Sequence, residues 1–327
     1  MDGQSSPEHG APQRSVPDDE PMLSPDSGEI VVNGLTKMYP KVTAVDELTF
    51  AVRPGRVTGF LGPNGSGKTT TLRMILNLVT PTAGTATVSG SAYANLARPL
   101  DSVGAVLEAS SAHKGRTGRN HLRILCSAGG YPDRRADEVL DLVGLSPAAN
   151  RKFRGYSLGM RQRLGIAAAM LGDPKVLILD EPANGLDPEG IKWMRDFLRA
   201  FANQGRTVFV SSHLLGEMQS LADDVIIIAA GRLVAQGTVA DVISSIAKSG
   251  AVRVRTPHVD QLAVELRNQG AYLDYPADDQ LVVHGVDAAT VGRAALAARA
   301  ELHELVGESP DLEQAFLQLT HAKAAIR

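Results

Sequence analysis

The chain has 327 residues, 43% hydrophobic and 21% charged, with a net charge of −3. That length exceeds what one compact core usually holds, and the charge gives no reason to expect nucleic acid. No stretch nears the roughly 20 apolar residues that cross a bilayer; the longest candidate, Val225 to Ala230, reads as a buried strand. An acidic start without an apolar region is not a secretory leader. A single cysteine, Cys126, allows no internal disulfide and points to a reducing compartment. Set among Leu122, Ile124 and Leu125, it reads as a core thiol of a helix. These features predict a cytoplasmic protein.

Residues 1–28 carry five Pro, five Ser and six acids against one base, Arg14. Such a segment buries too little apolar surface to offset its ordering and is expected to be a disordered tail. From Ile30 the pattern is strand-like (EIVVNGLTKMY, LTFAVRPG, VTGFLGPNG), with a helix opening at Lys68. Short β-like pieces, ATVSG and SVGAVLEA, precede a mostly helical stretch from about Arg119 to Leu171. VLILDEP, residues 176–182, is a continuous apolar run ending in two acids, as in a central strand covered on both faces. A helix over 188–203, the strand TVFVSS, the helix HLLGEMQSLA, the strand VIIIAA and the hairpin-like GRLVAQG complete an α/β domain over 29–240 with a mainly parallel sheet. Residues 241–327 change rhythm: the order strand, helix, strand, strand, helix, strand, helix predicts a small α+β accessory unit of ferredoxin-like type.

Gly62-Pro63-Asn64-Gly65-Ser66-Gly67-Lys68-Thr69 matches G-x-x-x-x-G-K-[ST] between an apolar strand and a helix. Glycines let the backbone wrap a phosphate and turn N–H groups inward. Pro63 has none to offer, so the donors run from Asn64 to Thr70, with the helix N-terminus behind them. The Lys68 ammonium is placed to reach the β- and γ-phosphates of ATP, and the Thr69 hydroxyl to ligate Mg²⁺. Asp180, ending VLIL, supplies the metal-side acid. Glu181 follows where a carboxylate can orient or deprotonate the attacking water. Two acids closing a strand also suit a plain solvated end; the phosphate loop is what favours chemistry.

These parts fit many nucleotide hydrolases. Tyr156-Ser157-Leu158-Gly159-Met160-Arg161-Gln162-Arg163 narrows the choice: it resembles the signature of ATP-binding cassette (ABC) proteins in a variant form, opening a helix that Ser157 caps. Asp187 in ANGLDPEG looks like the D-loop of that family, His213 in VFVSSHLLGEM like its switch histidine, and Tyr39 like the aromatic that stacks on adenine. An edge-strand aromatic packed on the sheet is the other reading of Tyr39. The resemblance implies that Ser157, Leu158, Gly159, Met160, Arg161 and Gln162 act in trans, on ATP held by a second subunit.

Where the family usually has glutamine, in the loop joining core and helical subdomain, this chain has Glu108. That variant is found in a subgroup resembling bacitracin and lantibiotic self-protection transporters. The resemblance implies that Glu108 joins Thr69 and Asp180 at the metal; a solvent-facing strand end is the alternative. A basic run (His113, Lys114, Arg116, Arg119, Arg123) flanks the surface where the family docks its membrane partner, or is a solvated polar face. LEQAFLQLT near the end looks like the close of ATPase subunits of ABC-2-type drug-resistance exporters.

The fold so implied is α/β: a P-loop NTPase of ABC type with a helical subdomain, plus the small C-terminal α+β unit. The function implied is that bound ATP closes a homodimer, or a pair with another ATPase subunit, that hydrolysis reopens it, and that this cycle drives separately encoded transmembrane permease subunits. Export is the expected direction, with the chain peripheral on the inner face of the cell membrane. A soluble ABC-type ATPase acting on ribosomes or DNA is the alternative, but the chain has neither a second cassette nor a long coiled-coil insertion.

Overall fold

A computed structural model describes residues 28–107, 112–246, 251–308 and 311–324. The acidic tail, apart from Gly28, and Glu108 lie outside the described residues.

Two sheets face each other in the first domain. Strands β1 (Ile30–Tyr39), β2 (Val42–Val52) and β4 (Ala83–Val88) form an antiparallel sheet in the order β2-β1-β4. The second sheet runs β5-β6-β7-β3-β8-β9: β3 is Val57–Leu61, β5 Val103–Val106, β6 Val176–Asp180, β7 Thr207–Ser212, β8 Asp224–Ala229 and β9 Arg232–Thr238. Its first five strands are parallel and β9 is antiparallel. The apolar runs are explained by burial on both faces. Leu177, Leu179, Val208 and Val210 enter one core, while Val176, Ile178, Phe209 and Phe60 enter the other. Phe50, Phe60 and Phe209 knit the two sheets, with ring centroids 5.1–5.7 Å apart.

Helix α1 (Lys68–Ile75) follows β3, and the short α2 (Pro99–Ser102) precedes β5. The helical stretch resolves into α3 (Gly118–Gly129), α4 (Arg134–Leu142) and α5 (Leu158–Ala169). Their core holds Leu122, Val139, Leu140 and Leu164, with Cys126 as a buried free thiol among them. Two of the five residues of the basic run are paired with acids here: Arg119 Nε sits 2.6 Å from Asp137, and Arg123 lies within 3.8 Å of Asp133 and Asp137.

Helix α6 (Pro188–Ala202) crosses from β6 to β7, and α7 (Leu215–Leu221) from β7 to β8. After α8 (Val239–Ile246), the small unit comprises β10 (Ala251–Arg255), α9 (Val259–Asn268), β11 (Tyr272–Ala277), β12 (Gln280–His284), α10 (Ala288–Ala297) and β13 (Glu304–Glu308). Its antiparallel order, β11-β12-β10-β13, is that of a ferredoxin-like sheet. The last helix, α11 (Leu312–Ala324), returns to the first domain: Leu312 and Ala315 enter its core beside Val242 of α8, and the Leu312 N–H donates to Gln219 Oε1 of α7.

Candidate active site

Parallel register gathers the site. Asp180 of β6 pairs with Ser211 of β7, and Leu61 of β3 pairs with Ser212. Three consecutive strands therefore end level, and the loops leaving their carboxyl ends share one crevice, where open α/β sheets bind ligands.

The loop after β3 is shaped for a group with no room for side chains. Gly67 has φ 105° and starts α1; a Cβ there would collide with the Ala44 carbonyl oxygen. A Cβ at Gly62 would sit 2.6 Å from the Ile228 carbonyl oxygen and against the Ser66 hydroxyl. Ser66 Oγ is buried without a hydrogen-bond partner, and the Lys68 side chain, 6% exposed, folds into the loop with Nζ donating to Gly62 O at 2.6 Å. An orphaned hydroxyl and a sunken ammonium around bare backbone fit a phosphate chain. One expected donor is already engaged: Ser66 N–H bonds Pro63 O at 3.1 Å, because the loop closes a turn there.

Thr69 Oγ1 donates to Asp180 Oδ2 at 2.7 Å. Donating its one proton leaves the hydroxyl both lone pairs, and the pair offers the hard oxygen donors that Mg²⁺ prefers. Glu181 stands between a lysine and a histidine, with Oε1 3.5 Å from Lys68 Nζ and Oε2 2.8 Å from His213 Nδ1. This contact engages the Nδ1 side of the imidazole and not Nε2. Glu181 has φ 49°, a left-handed conformation that costs a non-glycine residue roughly 1 kcal/mol.

Ser211 is a participant that the motif reading missed. Its hydroxyl donates to Asp180 Oδ1 and accepts from the Glu181 N–H at 2.9 Å. The available signal was the pair Ser211-Ser212, two polar residues closing an apolar strand immediately before His213. Glu217 on α7 was missed as well. One of its oxygens, Oε2, is buried without a partner, and its pKa is raised by burial, with the His213 charge opposing and Glu181 adding. A raised carboxyl pKa favours folding below the ordinary carboxylate range, and that advantage is lost as pH rises through the folded value. Glu217→Gln should therefore gain on wild type as pH climbs from about 4 to 7. Denaturant melts across that range measure it; parallel curves would count against the burial argument.

Ser157 caps α5, its hydroxyl accepting from Met160 N–H at 3.2 Å, and Leu158 is exposed. The remainder of the signature turns inward. Gln162 is 4% exposed, Met160 packs on the helical core, and Arg161 lies over the Phe153 ring at 5.2 Å. Ser157 and Leu158 are thus exposed, Gly159, Met160 and Arg161 half-buried, and Gln162 buried within this chain. Asp187 caps α6 by accepting from Gly190 N–H at 2.9 Å, so it has a structural task whatever else it does. The two segments touch: Leu158 fills the space over Gly185, where a Cβ would clash. Tyr39 ends β1, 46% exposed, with Lys37 Nζ 5.3 Å from its ring centroid.

Comparisons with known proteins agree with this geometry. The ABC transporter family model matches residues 45–184, and a model described as a domain of unknown function matches 250–313. The bacitracin transport ATP-binding protein BcrA of Bacillus licheniformis is 44% identical over 62% of this chain and 68% of its own length. The daunorubicin/doxorubicin resistance ATP-binding protein DrrA of Streptomyces peucetius is 35% identical over 89% of this chain and 92% of its own. Among solved structures, an ATP binding subunit of an ABC transporter aligns with TM-score 0.60 at 27% identity, over 66% of this chain and 92% of that one. A crevice that pairs a phosphate-wrapping loop with two acids and a histidine, on a chain so related, belongs to the ATP-hydrolysing, ATP- and Mg²⁺-dependent subunits of the ABC transporter family.

Proposed function

We propose that this subunit powers export through separately encoded transmembrane subunits, working as a dimer at the inner face of the membrane. The observation that carries the reading is the convergence of Lys68, Thr69, Asp180, Glu181 and His213 at the ends of three neighbouring strands. The loop amides and Lys68 bind and orient the phosphates, and Tyr39 offers a face to the adenine. Thr69 and Asp180 hold Mg²⁺, which when bound neutralises charge on the β- and γ-phosphate oxygens. Glu181 takes a proton from the attacking water, and His213 steadies that carboxylate while presenting Nε2 to the γ-phosphate. Ser157 and Gly159, with Asp187 behind them, complete the site of a second subunit. Glu108 keeps its assignment on the metal side, resting on its sequence position alone.

Export follows from the names of the full-length relatives, which speak of bacitracin transport and of drug resistance. A permease has a place to dock. A cleft of about 590 Å³ opens between the core and the helical subdomain, lined by Leu78, Val106, His121, Leu125 and Arg161 among others. No helix among the described residues is long and apolar enough to cross a membrane. The test is a pair of measurements on the full chain. Affinity purification from detergent-solubilised membranes should recover a polytopic protein. Lys68→Ala should retain that partner while weakening ATP binding by more than about tenfold, the order expected when a buried charge contact is removed. Recovery without any membrane protein would count against the partner; undiminished ATP binding would count against the loop assignment.

A further inference from the structure

Strand β7 ends in two hydroxyls with different tasks. Ser212 Oγ accepts from Leu214 N–H at 2.9 Å and so shapes the loop that presents His213. Ser211 turns the other way, toward the acids of β6, and is fully buried at 0% exposure. We propose that Ser211 is a positioning residue for hydrolysis: its one hydroxyl sets the orientation of the metal-side carboxylate and the backbone pose of the base together. The proposal rests on the roles given above to Asp180 and Glu181.

The first half concerns Asp180. Both of its oxygens are held by hydroxyl donors, Oδ1 by Ser211 and Oδ2 by Thr69 at 2.7 Å. This three-member chain fixes the carboxylate plane, and through it the direction of the Thr69 lone pairs. Partners of this kind behind a metal ligand are worth about 10- to 100-fold in metal affinity or activity. Without the Ser211 hydroxyl, Asp180 retains one restraint and can pivot about its terminal torsion, which has only broad preferences.

The second half concerns Glu181. Its N–H is shared between Ser211 Oγ at 2.9 Å and Ser211 O at 3.2 Å. This shared bond grips the residue at the point where its φ of 49° turns the chain out of β6 and aims the side chain between Lys68 and His213. Strained backbone persists only when its surroundings over-determine it. The carbonyl alone is the longer of the two contacts, so loss of the hydroxyl loosens the aim of the base. A serine hydroxyl is the smallest group that donates to one acid and accepts from the amide of the next.

The experiment compares Ser211→Ala, Ser211→Thr and Ser211→Val with wild type and Glu181→Gln, all as the full chain. Two quantities are read: steady-state kcat and KM for ATP, and, without turnover, the Mg²⁺ concentration that half-saturates binding of a non-hydrolysable ATP analogue. Ser211→Ala should lower kcat by about 10- to 100-fold and raise the Mg²⁺ midpoint about tenfold. Analogue binding without Mg²⁺ should stay as in wild type. Thr keeps the hydroxyl and should remain near wild type; Val has the shape of Thr without it and should behave as Ala does. The Thr/Val pair decides the matter should Ala prove unstable, since both β-branched residues suit a strand. A Val variant as active as Thr overturns the proposal. So does an Ala variant with lower thermal stability but unchanged kcat and Mg²⁺ midpoint. Normal turnover by Glu181→Gln would instead show that the assignment of the base has failed. If Glu181→Gln is inactive while the Ser211 variants are not, only the present inference falls.

Discussion

Glu181→Gln should bind ATP about as well as wild type and hydrolyse it about 10²- to 10⁴-fold more slowly, the range a positioned general base contributes. The amide keeps the size of the side chain and can still face Lys68 Nζ, 3.5 Å from Oε1, and His213 Nδ1, 2.8 Å from Oε2. It removes the capacity to take a proton. Phosphate binding resides elsewhere, in the loop after β3, so the loss should appear in kcat with KM little changed. On the proposed cycle, in which bound ATP closes a dimer and hydrolysis reopens it, the variant should also accumulate as an ATP-bound dimer, detectable by size-exclusion chromatography with ATP and Mg²⁺ present. Single-turnover kinetics isolate the chemical step. A variant that turned over at the normal rate would remove Glu181 from the role of base and shift attention to His213.

Much of this site was legible in the sequence because its parts are short segments with local physical reasons. The loop needs glycine where φ is 105°, the strand VLIL needs burial on both faces, and Ser157 caps the helix it opens. What stayed hidden depends on register between strands distant in sequence. Nothing local says that Asp180 lies beside Ser211, 31 residues on, or that one hydroxyl there serves two acids. Side-chain direction was equally out of reach. The signature reads as one block, but Ser157 and Leu158 are exposed, while Tyr156 and Gln162 are buried. The change of rhythm near residue 240 is followed by a separate four-stranded sheet, yet α11 carries Leu312 and Ala315 back into the first core. A returning helix leaves no mark at the point of departure.

Two inactive variants should regain hydrolysis on mixing. Lys68→Ala disables the phosphate loop, and Gly159→Asp places a negative charge at the open tip of α5, where a partner's γ-phosphate is expected. The aspartate should fold: Gly159 has no positive φ, and a Cβ there meets only Leu186 Cδ2 at 3.5 Å, an ordinary contact. An acid near a helix N-terminus also suits the helix itself. In the mixed dimer, the loop of the Gly159→Asp chain faces the tip of the Lys68→Ala chain, which makes one intact composite site; the other site carries both defects. The reciprocal mixture supplies the control. Wild type paired with a chain bearing both substitutions has no intact site if the tip acts across subunits, because each site then carries one defect. If each chain used its own tip, the outcomes would reverse: the first mixed dimer would be dead and the second half-active. ATPase assays on tagged, purified mixed dimers therefore separate the two arrangements by which pairing works. Leu158 packs over Gly185, so the tip of α5 and the segment leading to Asp187 lie side by side on this chain, and the mixed dimers decide whose site they serve.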